Sequence, residues 1–217
     1  MNGVGDPVLE PGWVEGELAE ELPGLGLWSA RVQARSGRTP HSVRDRLRVM
    51  AGRITGGHVV HMRQDPVPWA YRVLWRKVGL DPDVDRPPAE AIAVERLRAG
   101  TLTSRNLLDD ALVIATLETG VPVMAFDADR VGAELGLRTT ARGESLGTSG
   151  RALSSRQIVV SDREHVLATL DGDVAPDRGV SPATTAMVLT ALAANGVPLI
   201  AVEEALWTVA EILQAQD

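Results

Sequence analysis

The stretch SRNLLDDALVIATLETGVPVMAFDADR, residues 104–130, predicts a buried helix, a sharp helix end and a short strand that finishes in carboxylates. Leu108, Leu112 and Ala115 recur at helical spacing and the other faces are largely apolar, so we expect neighbours on most sides of the helix. Gly120 stands where a left-handed helix cap belongs, and Pro122 prevents the helix from continuing.

Helices and strands flank this stretch on both sides. Residues 25–35 alternate apolar and polar side chains, which predicts a half-buried strand. Similar patterns predict helices at 41–51 (with Gly52 as the stop), 66–78, 88–99 and 203–214, and strands at 57–63, 135–139 and 157–161. Residues 1–24 are rich in Gly, Pro and Glu, and we expect them to be irregular apart from a short strand or turn near Trp13.

An internal echo links ATLETGVPVMA, residues 115–125, with LAANGVPLIA, residues 192–201. It reflects either a duplication or the common use of Gly and Pro at the end of a helix. By analogy, Ser181 and Pro182 predict the start of a second helix that ends near Gly196. The mixture predicts an α+β fold, a layered mixed β-sheet or sandwich with flanking helices, in a single domain spanning residues 1–217.

Composition excludes several classes of chemistry. The chain has no cysteine, which rules out disulfides, thiolate catalysis and Cys-ligated zinc. Its apolar runs are short for a membrane span and its N-terminus lacks a secretory pattern, so we expect a cytoplasmic protein. The net charge is −7, yet residues 25–80 hold eleven bases and two acids. This basic block is either an anion-binding face or an Arg-rich solvated surface.

Metal-binding patterns are weak. Asp81, Asp83 and Asp85 resemble the start of a calcium loop, but Arg86 and Ile92 occupy the positions that need Gly and Glu. A loop before a helix is the simpler interpretation, and we expect no metal site.

Other motifs also fall short. His58 and His61 are three residues apart on a predicted strand, so they should face opposite sides. Residues 147–150, GTSG, resemble a nucleophile elbow but lack its final Gly and its preceding strand. No cofactor-binding loop is present, and we expect no cofactor.

Aromatic and basic side chains are interleaved in residues 63–77. This segment contains Trp69, Tyr71 and Trp75 among Arg63, Arg72, Arg76 and Lys77. Aromatic rings stack on bases and Arg neutralises phosphates, so the four basic residues are candidate tRNA contacts. The alternative is an amphipathic helix that buries Trp69 and Val73 and leaves the arginines in solvent.

A family resemblance covers residues 65–213. The chain resembles the tRNA-binding editing module of the phenylalanyl-tRNA synthetase beta subunit, and more closely its free-standing homologues. The resemblance rests on the order and spacing of the following positions: Asn106, Asp110, Leu117-Glu118, Gly120, Pro122, Ala125-Phe126-Asp127, Asp129, Leu137-Arg138, Gly143-Glu144, Ile158-Val159-Val160, Asp162, Leu167-Ala168, Gly179-Val180 and Thr184.

The resemblance implies hydrolysis of a wrongly attached amino acid from tRNA, without a cofactor. It places Glu144 in the pocket and small residues near Ala168 and Thr169. The family's pocket His is Met124 here, and an Asn of its motif is Val113. With Asn106, these residues form the candidate substrate-binding set. Because Met and Val cannot orient water, the family's mechanism does not carry over unchanged.

Three functions follow from these observations. The first is an aminoacyl-tRNA deacylase that acts in trans, an ester hydrolase and not a complete tRNA ligase. The second is a non-catalytic binder of an amino acid or a similar small molecule. The third is a tRNA-binding protein without chemistry. We favour the first because the resemblance extends over two-thirds of the chain and retains Glu144.

Overall fold

Two four-stranded β-sheets and seven helices form the part of the chain that the structure, a computed structural model, describes: residues 7–148 and 150–215. The strands are β1 (Leu9–Pro11), β2 (Trp13–Val14), β3 (Gly26–Gln33), β4 (Val123–Asp127), β5 (Gly136–Thr139), β6 (Ile158–Ser161), β7 (Val166–Thr169) and β8 (Ala186–Ala193). The helices are α1 (Gly16–Glu21), α2 (His41–Arg53), α3 (Gly56–Met62), α4 (Pro66–Lys77), α5 (Pro88–Ala99), α6 (Leu107–Thr119) and α7 (Leu199–Gln214).

The two sheets share one hydrophobic core. The first sheet has the order β1-β3-β8-β4 and is antiparallel throughout, whereas the second has the order β2-β5-β6-β7 and pairs β2 with β5 in parallel. Leu27 and Leu189 of the first sheet and Leu137 and Val160 of the second belong to the same buried cluster. Helices α6 and α7 pack against each other and against the first sheet. This arrangement confirms the predicted layered α+β fold.

The stretch around Gly120 folds as its sequence predicts. Helix α6 ends at Gly120, which has a φ of +75° and donates its N–H to the carbonyl of Thr116. Strand β4 follows at once, and all five of its residues are buried. Two features require glycine at this position. Its φ is positive, and a Cβ would lie 3.0 Å from Val67 Cγ1.

The strand predicted for residues 57–63 is wrong, because this segment is helix α3. Thr55 caps the helix by accepting a hydrogen bond from the N–H of His58, and Val59 and Met62 are buried one turn apart. A short apolar run is compatible with a strand or a helix, and here the Thr55 cap favours the helix. His58 and His61 therefore share a helix face, contrary to the prediction. The described residues contain no cluster of three groups suited to a metal ion.

The helix predicted to start at Ser181 is also wrong. Ser181 and Thr184 close a turn, and the following apolar run forms β8, with six of its eight residues buried between β3 and β4. A continuous apolar run suits a buried strand as well as a helix, and pairing with distant strands decides between them. Gly196 then connects β8 to α7, which begins at Leu199 rather than Glu203. Of the two similar segments, residues 115–125 therefore lead from helix α6 to strand β4, whereas residues 192–201 lead from strand β8 to helix α7.

Two smaller corrections concern the first 53 residues. Residues 9–21 contain β1 and α1 in place of the expected irregular segment, whereas the short strand expected near Trp13 is present as β2. Helix α2 continues through Gly52 to Arg53, because an exposed glycine near a helix end costs little. The predicted strand at 25–35, the helices at 66–78 and 88–99 and the strands at 135–139 and 157–161 are confirmed within one or two residues.

Replacing two glycines by alanine should change stability in opposite directions. Gly120→Ala places a Cβ in a left-handed conformation against Val67 and should lower the free energy of unfolding by roughly 1–2 kcal/mol or more. Gly52→Ala meets no atom within 4 Å and should raise it by about 0.5 kcal/mol. Urea unfolding followed by circular dichroism measures both. Equal effects of the two substitutions would contradict this account of Gly120.

Candidate functional site

The carboxylate of Glu144 is held by one arginine. Arg138 donates from Nη1 to Oε2 and from Nη2 to Oε1, each at 2.8 Å, and the N–H of Ala141 donates to Oε2 at 2.7 Å. These hydrogen bonds outweigh partial burial and hold the pKa of Glu144 below its ordinary value. The carboxylate therefore stays ionised and fixed, so it suits the role of an anchor for residues 138–144 better than that of a general base.

Arg138 and Thr169 stand on the face of the second sheet that points away from the core shared by the two sheets. The pairing Arg138–Val159–Thr169 runs straight across β5, β6 and β7, and paired residues project to the same face. Arg138 Nε also donates to Ser161 Oγ at 3.1 Å. Thr169, fully buried, donates its hydroxyl to the carboxylate of Asp171.

The other predicted substrate-binding residues lie elsewhere. Ala168 faces the core shared by the two sheets, opposite to Thr169. Met124 is 3% exposed on β4 and pairs with Thr190 of β8. The Thr190 hydroxyl is buried and has no hydrogen-bond partner among the described residues. The structure thus brings Glu144 and Thr169 to one sheet face, but not Ala168 or Met124.

Asn106 and Asp110 organise the start of α6. Asn106 is the N-cap: its Oδ1 accepts from the N–H of Asp109 at 2.9 Å, and its Nδ2 donates to Asp109 Oδ2. Asp110 is buried and accepts from the hydroxyls of Thr39 and Ser104, both at 2.5 Å, and from the N–H of Arg105. These bonds fix the loop before α6 and account for both residues structurally.

A cavity of about 410 Å³ opens between α2, α5, the loop before α6 and α6 itself. We call it the α5–α6 cavity. Val113, a predicted substrate-binding residue, lines it. Other apolar lining residues include Leu47, Ile92 and Leu102, and the charged ones are Glu95, Arg96, Arg105, Asp109 and Asp110. Glu144 does not line this cavity, so Val113 and Glu144 belong to different parts of the molecule.

The four predicted tRNA-binding residues divide into two that pair with carboxylates and two that are exposed. Arg72 is 4% exposed and binds Glu90 through Nη1, at 2.9 and 3.1 Å, and Asp83 through Nη2 at 2.7 Å. Arg63 reaches the same two carboxylates. We call these four residues the ion cluster. Its two arginines already have carboxylate partners, and Arg72 is too deeply buried to meet a phosphate.

Helix α4 buries a different face from the one expected. Tyr71 and Trp75 are fully buried, and Trp69 is 49% exposed, with the guanidinium of Arg76 lying 5.4 Å from its ring centre. Tyr71 donates its hydroxyl to the carbonyl of Leu192 at 2.5 Å and so ties α4 to β8. Arg76 and Lys77 remain exposed. They are the two members of the predicted tRNA-binding set that solvent can reach freely.

The two remaining motifs have structural explanations or lie outside the description. Asp81 accepts a hydrogen bond from the N–H of Asp83, which itself pairs with Arg72, so this loop is a turn that meets the ion cluster. In the GTSG segment, Ser149 lies outside the described residues.

A family model of the B3/4 domain matches residues 70–204, well over half of the chain. The chain belongs to the B3/4 domain family. This domain occurs in the beta subunit of phenylalanyl-tRNA synthetase and in related proteins, so the resemblance seen in the sequence is confirmed at the level of the family. A comparison with curated proteins finds no match. No helix in residues 7–148 and 150–215 combines the length and the apolar character needed to span a membrane.

Three residues of this B3/4 domain gain a role only from the structure. Arg138 was part of the resemblance, but its bond to Glu144 depends on a turn that the sequence does not show. Arg96 and Arg105 gave no signal, because Arg96 meets Val113 only through the packing of α5 on α6, and Arg105 reaches the cavity only through the path of the loop before α6.

Arg72→Met should destabilise the B3/4 domain strongly. The substitution leaves Glu90, which is fully buried, without its main partner, and removing one member of a buried pair typically costs about 3–5 kcal/mol. Arg76→Met on the same helix loses only an exposed contact with Trp69 and should cost about 1 kcal/mol or less. Urea unfolding distinguishes the two, and a mild Arg72 variant would contradict the ion cluster.

The stability that Glu144 contributes should disappear in acid. Its pKa is lower in the folded state than in the unfolded chain, so the contribution is complete above the ordinary value of 4.5 and is lost as the pH falls through the folded pKa. The wild type should therefore exceed Glu144→Gln in free energy of unfolding at neutral pH, and the difference should shrink below about pH 4.5. Urea titrations at a series of pH values measure it. A difference independent of pH would refute the assignment.

Proposed function

We propose that this B3/4 domain is an editing module of the phenylalanyl-tRNA synthetase beta type, which hydrolyses a misacylated tRNA in trans. The observation that supports it most is the family match over residues 70–204. Because the substrate is aminoacyl-tRNA, we also propose a cytoplasmic location.

The chemistry of this proposal does not depend on a side-chain base. Met124 and Val113 cannot accept a proton, and Glu144 is committed to Arg138. We therefore assign activation of the attacking water to the neighbouring hydroxyl of the terminal ribose. The water oxygen bonds to the ester carbon, the bond to the ribose oxygen breaks, and that oxygen takes the proton. Backbone N–H groups are the donors suited to the developing oxyanion.

We propose tRNA contacts only for basic side chains that are exposed. Arg76 and Lys77 remain from the predicted set, and Arg38 and Arg53 are exposed within the same basic block. Arg63 and Arg72 are assigned to the ion cluster instead. Because the chain carries a net charge of −7, binding should be weak and should decrease steeply with salt.

A panel of mischarged tRNAs tests the proposal. The protein should accelerate release of at least one amino acid over its rate in buffer. Glu144→Gln should leave the shape of the pH–rate profile unchanged, because the carboxylate is not the base. Arg76→Gln combined with Lys77→Gln should weaken tRNA binding. The slope of the logarithm of the binding constant against the logarithm of the salt concentration should become shallower by roughly 0.7 per lost phosphate contact. Arg98→Gln, at an exposed arginine on α5, is the matched control.

The outcomes separate the candidate functions. If every mischarged tRNA decays at the buffer rate, hydrolysis is refuted. Salt-sensitive retention of tRNA without hydrolysis would assign the protein to tRNA binding alone. A pH–rate inflection that disappears in Glu144→Gln would refute the ribose-assisted chemistry.

A further inference from the structure

The α5–α6 cavity has the size and lining of a small-molecule site. Its volume of about 410 Å³ lies within the range of roughly 300–1,000 Å³ that is usual for such sites. Leu47, Ile92 and Val113 supply apolar side chains from the three helices α2, α5 and α6, and Leu102 supplies one from the loop before α6. An apolar wall with a few charged groups favours a ligand that has an apolar body and a polar end.

Two guanidiniums in this lining have no acidic partner. Arg96 and Arg105 form no ion pair with any described residue, and Arg96 Nε is buried without a hydrogen-bond acceptor. Burying a donor of a charged group without an acceptor is costly, so the site favours an anionic group in the cavity. A carboxylate matches the planar fork of a guanidinium.

Carboxylates in the same lining favour a ligand that also carries a positive charge. Asp109 Oδ2 accepts a hydrogen bond from Asn106, while Glu95 is mostly exposed and lies 4.0 Å from Arg98. Asp110 has its hydrogen bonds from Thr39 and Ser104. A phosphate has no positive group to offset its repulsion by the three carboxylates, whereas the ammonium group of an amino acid is attracted to them. The charges of both signs around an apolar wall therefore suit a zwitterion.

We propose that the α5–α6 cavity binds a free α-amino acid with an apolar side chain. Arg96 and Arg105 bind its carboxylate, Asp109 binds its ammonium group, and Ile92, Leu102 and Val113 contact its side chain. This site is separate from the proposed hydrolysis, because an amino acid esterified to tRNA has no free carboxylate. Failure of either proposal therefore leaves the other unaffected.

Ligand-observed NMR and titration calorimetry with three probes test the site. L-leucine should bind at millimolar concentration or better. L-leucine methyl ester, which lacks the carboxylate, and 4-methylpentanoate, which lacks the ammonium group, should both bind more weakly by about tenfold or more.

Substitutions assign the binding to this cavity. Arg96→Gln and Arg105→Gln should each weaken leucine binding about tenfold. Asp109→Asn should weaken leucine but not 4-methylpentanoate. Val113→Phe, which narrows the cavity, should weaken leucine binding while the melting curve shows a folded protein. Arg142→Gln, at an exposed arginine outside the lining, should bind leucine like the wild type.

Three results would overturn the proposal. One is the absence of leucine binding to the wild type at millimolar concentration. Another is unchanged leucine binding in the folded Arg96→Gln and Arg105→Gln variants. The third is binding of the methyl ester or of 4-methylpentanoate as tightly as leucine.

Discussion

The pairing of β8 with strands from both halves of the chain is the constraint on which the rest of the structure depends. All eight of its residues pair with β3, and five of them also pair with β4 on the other side. Residues separated by more than 150 positions are thereby placed side by side. The strand also accepts the hydroxyl of Tyr71 through Leu192 and leads through Gly196 into α7. Helices α4, α6 and α7 thus take their positions from one buried strand.

This frame separates the charged residues into two groups. Asp110, Asn106 and the ion cluster hold loops against helices, and their hydrogen bonds go to other parts of the chain. Glu144 belongs with them, because Arg138 occupies both of its oxygens. Arg96 and Arg105 differ, since they face a cavity without acidic partners. The contrast explains why a carboxylate at a family position is weak evidence for catalysis, while cations without an ion-pair partner in the lining of a cavity are stronger evidence for a ligand.

An element can be predicted from the sequence when the interactions that determine it are local along the chain. Residues 107–127 were predicted well because a glycine cap, a proline and helical spacing are local signals. Strand β8 was missed because its partners lie far away in sequence, and an apolar run alone fits two elements. Helix α3 was missed because its deciding cap is a single threonine.

The candidate site shows the same limit. Val113 was expected to line a pocket and does line the α5–α6 cavity, but its charged neighbours come from α5 and from the loop that follows. The partner of Glu144 was equally invisible, because the bond depends on how residues 138–144 turn back on themselves. Residue types identify groups capable of chemistry, but only the packing of distant elements shows which of them are already bonded.

The ion cluster gives the contact between α4 and α5 an unusual response to heat. The hydration of charged groups becomes less favourable as temperature rises, so the cost of keeping Arg72 and Glu90 away from water falls, while apolar contacts gain little. On warming, the ion pair between Arg72 and Glu90 should therefore contribute a growing fraction of the stability of the contact between α4 and α5.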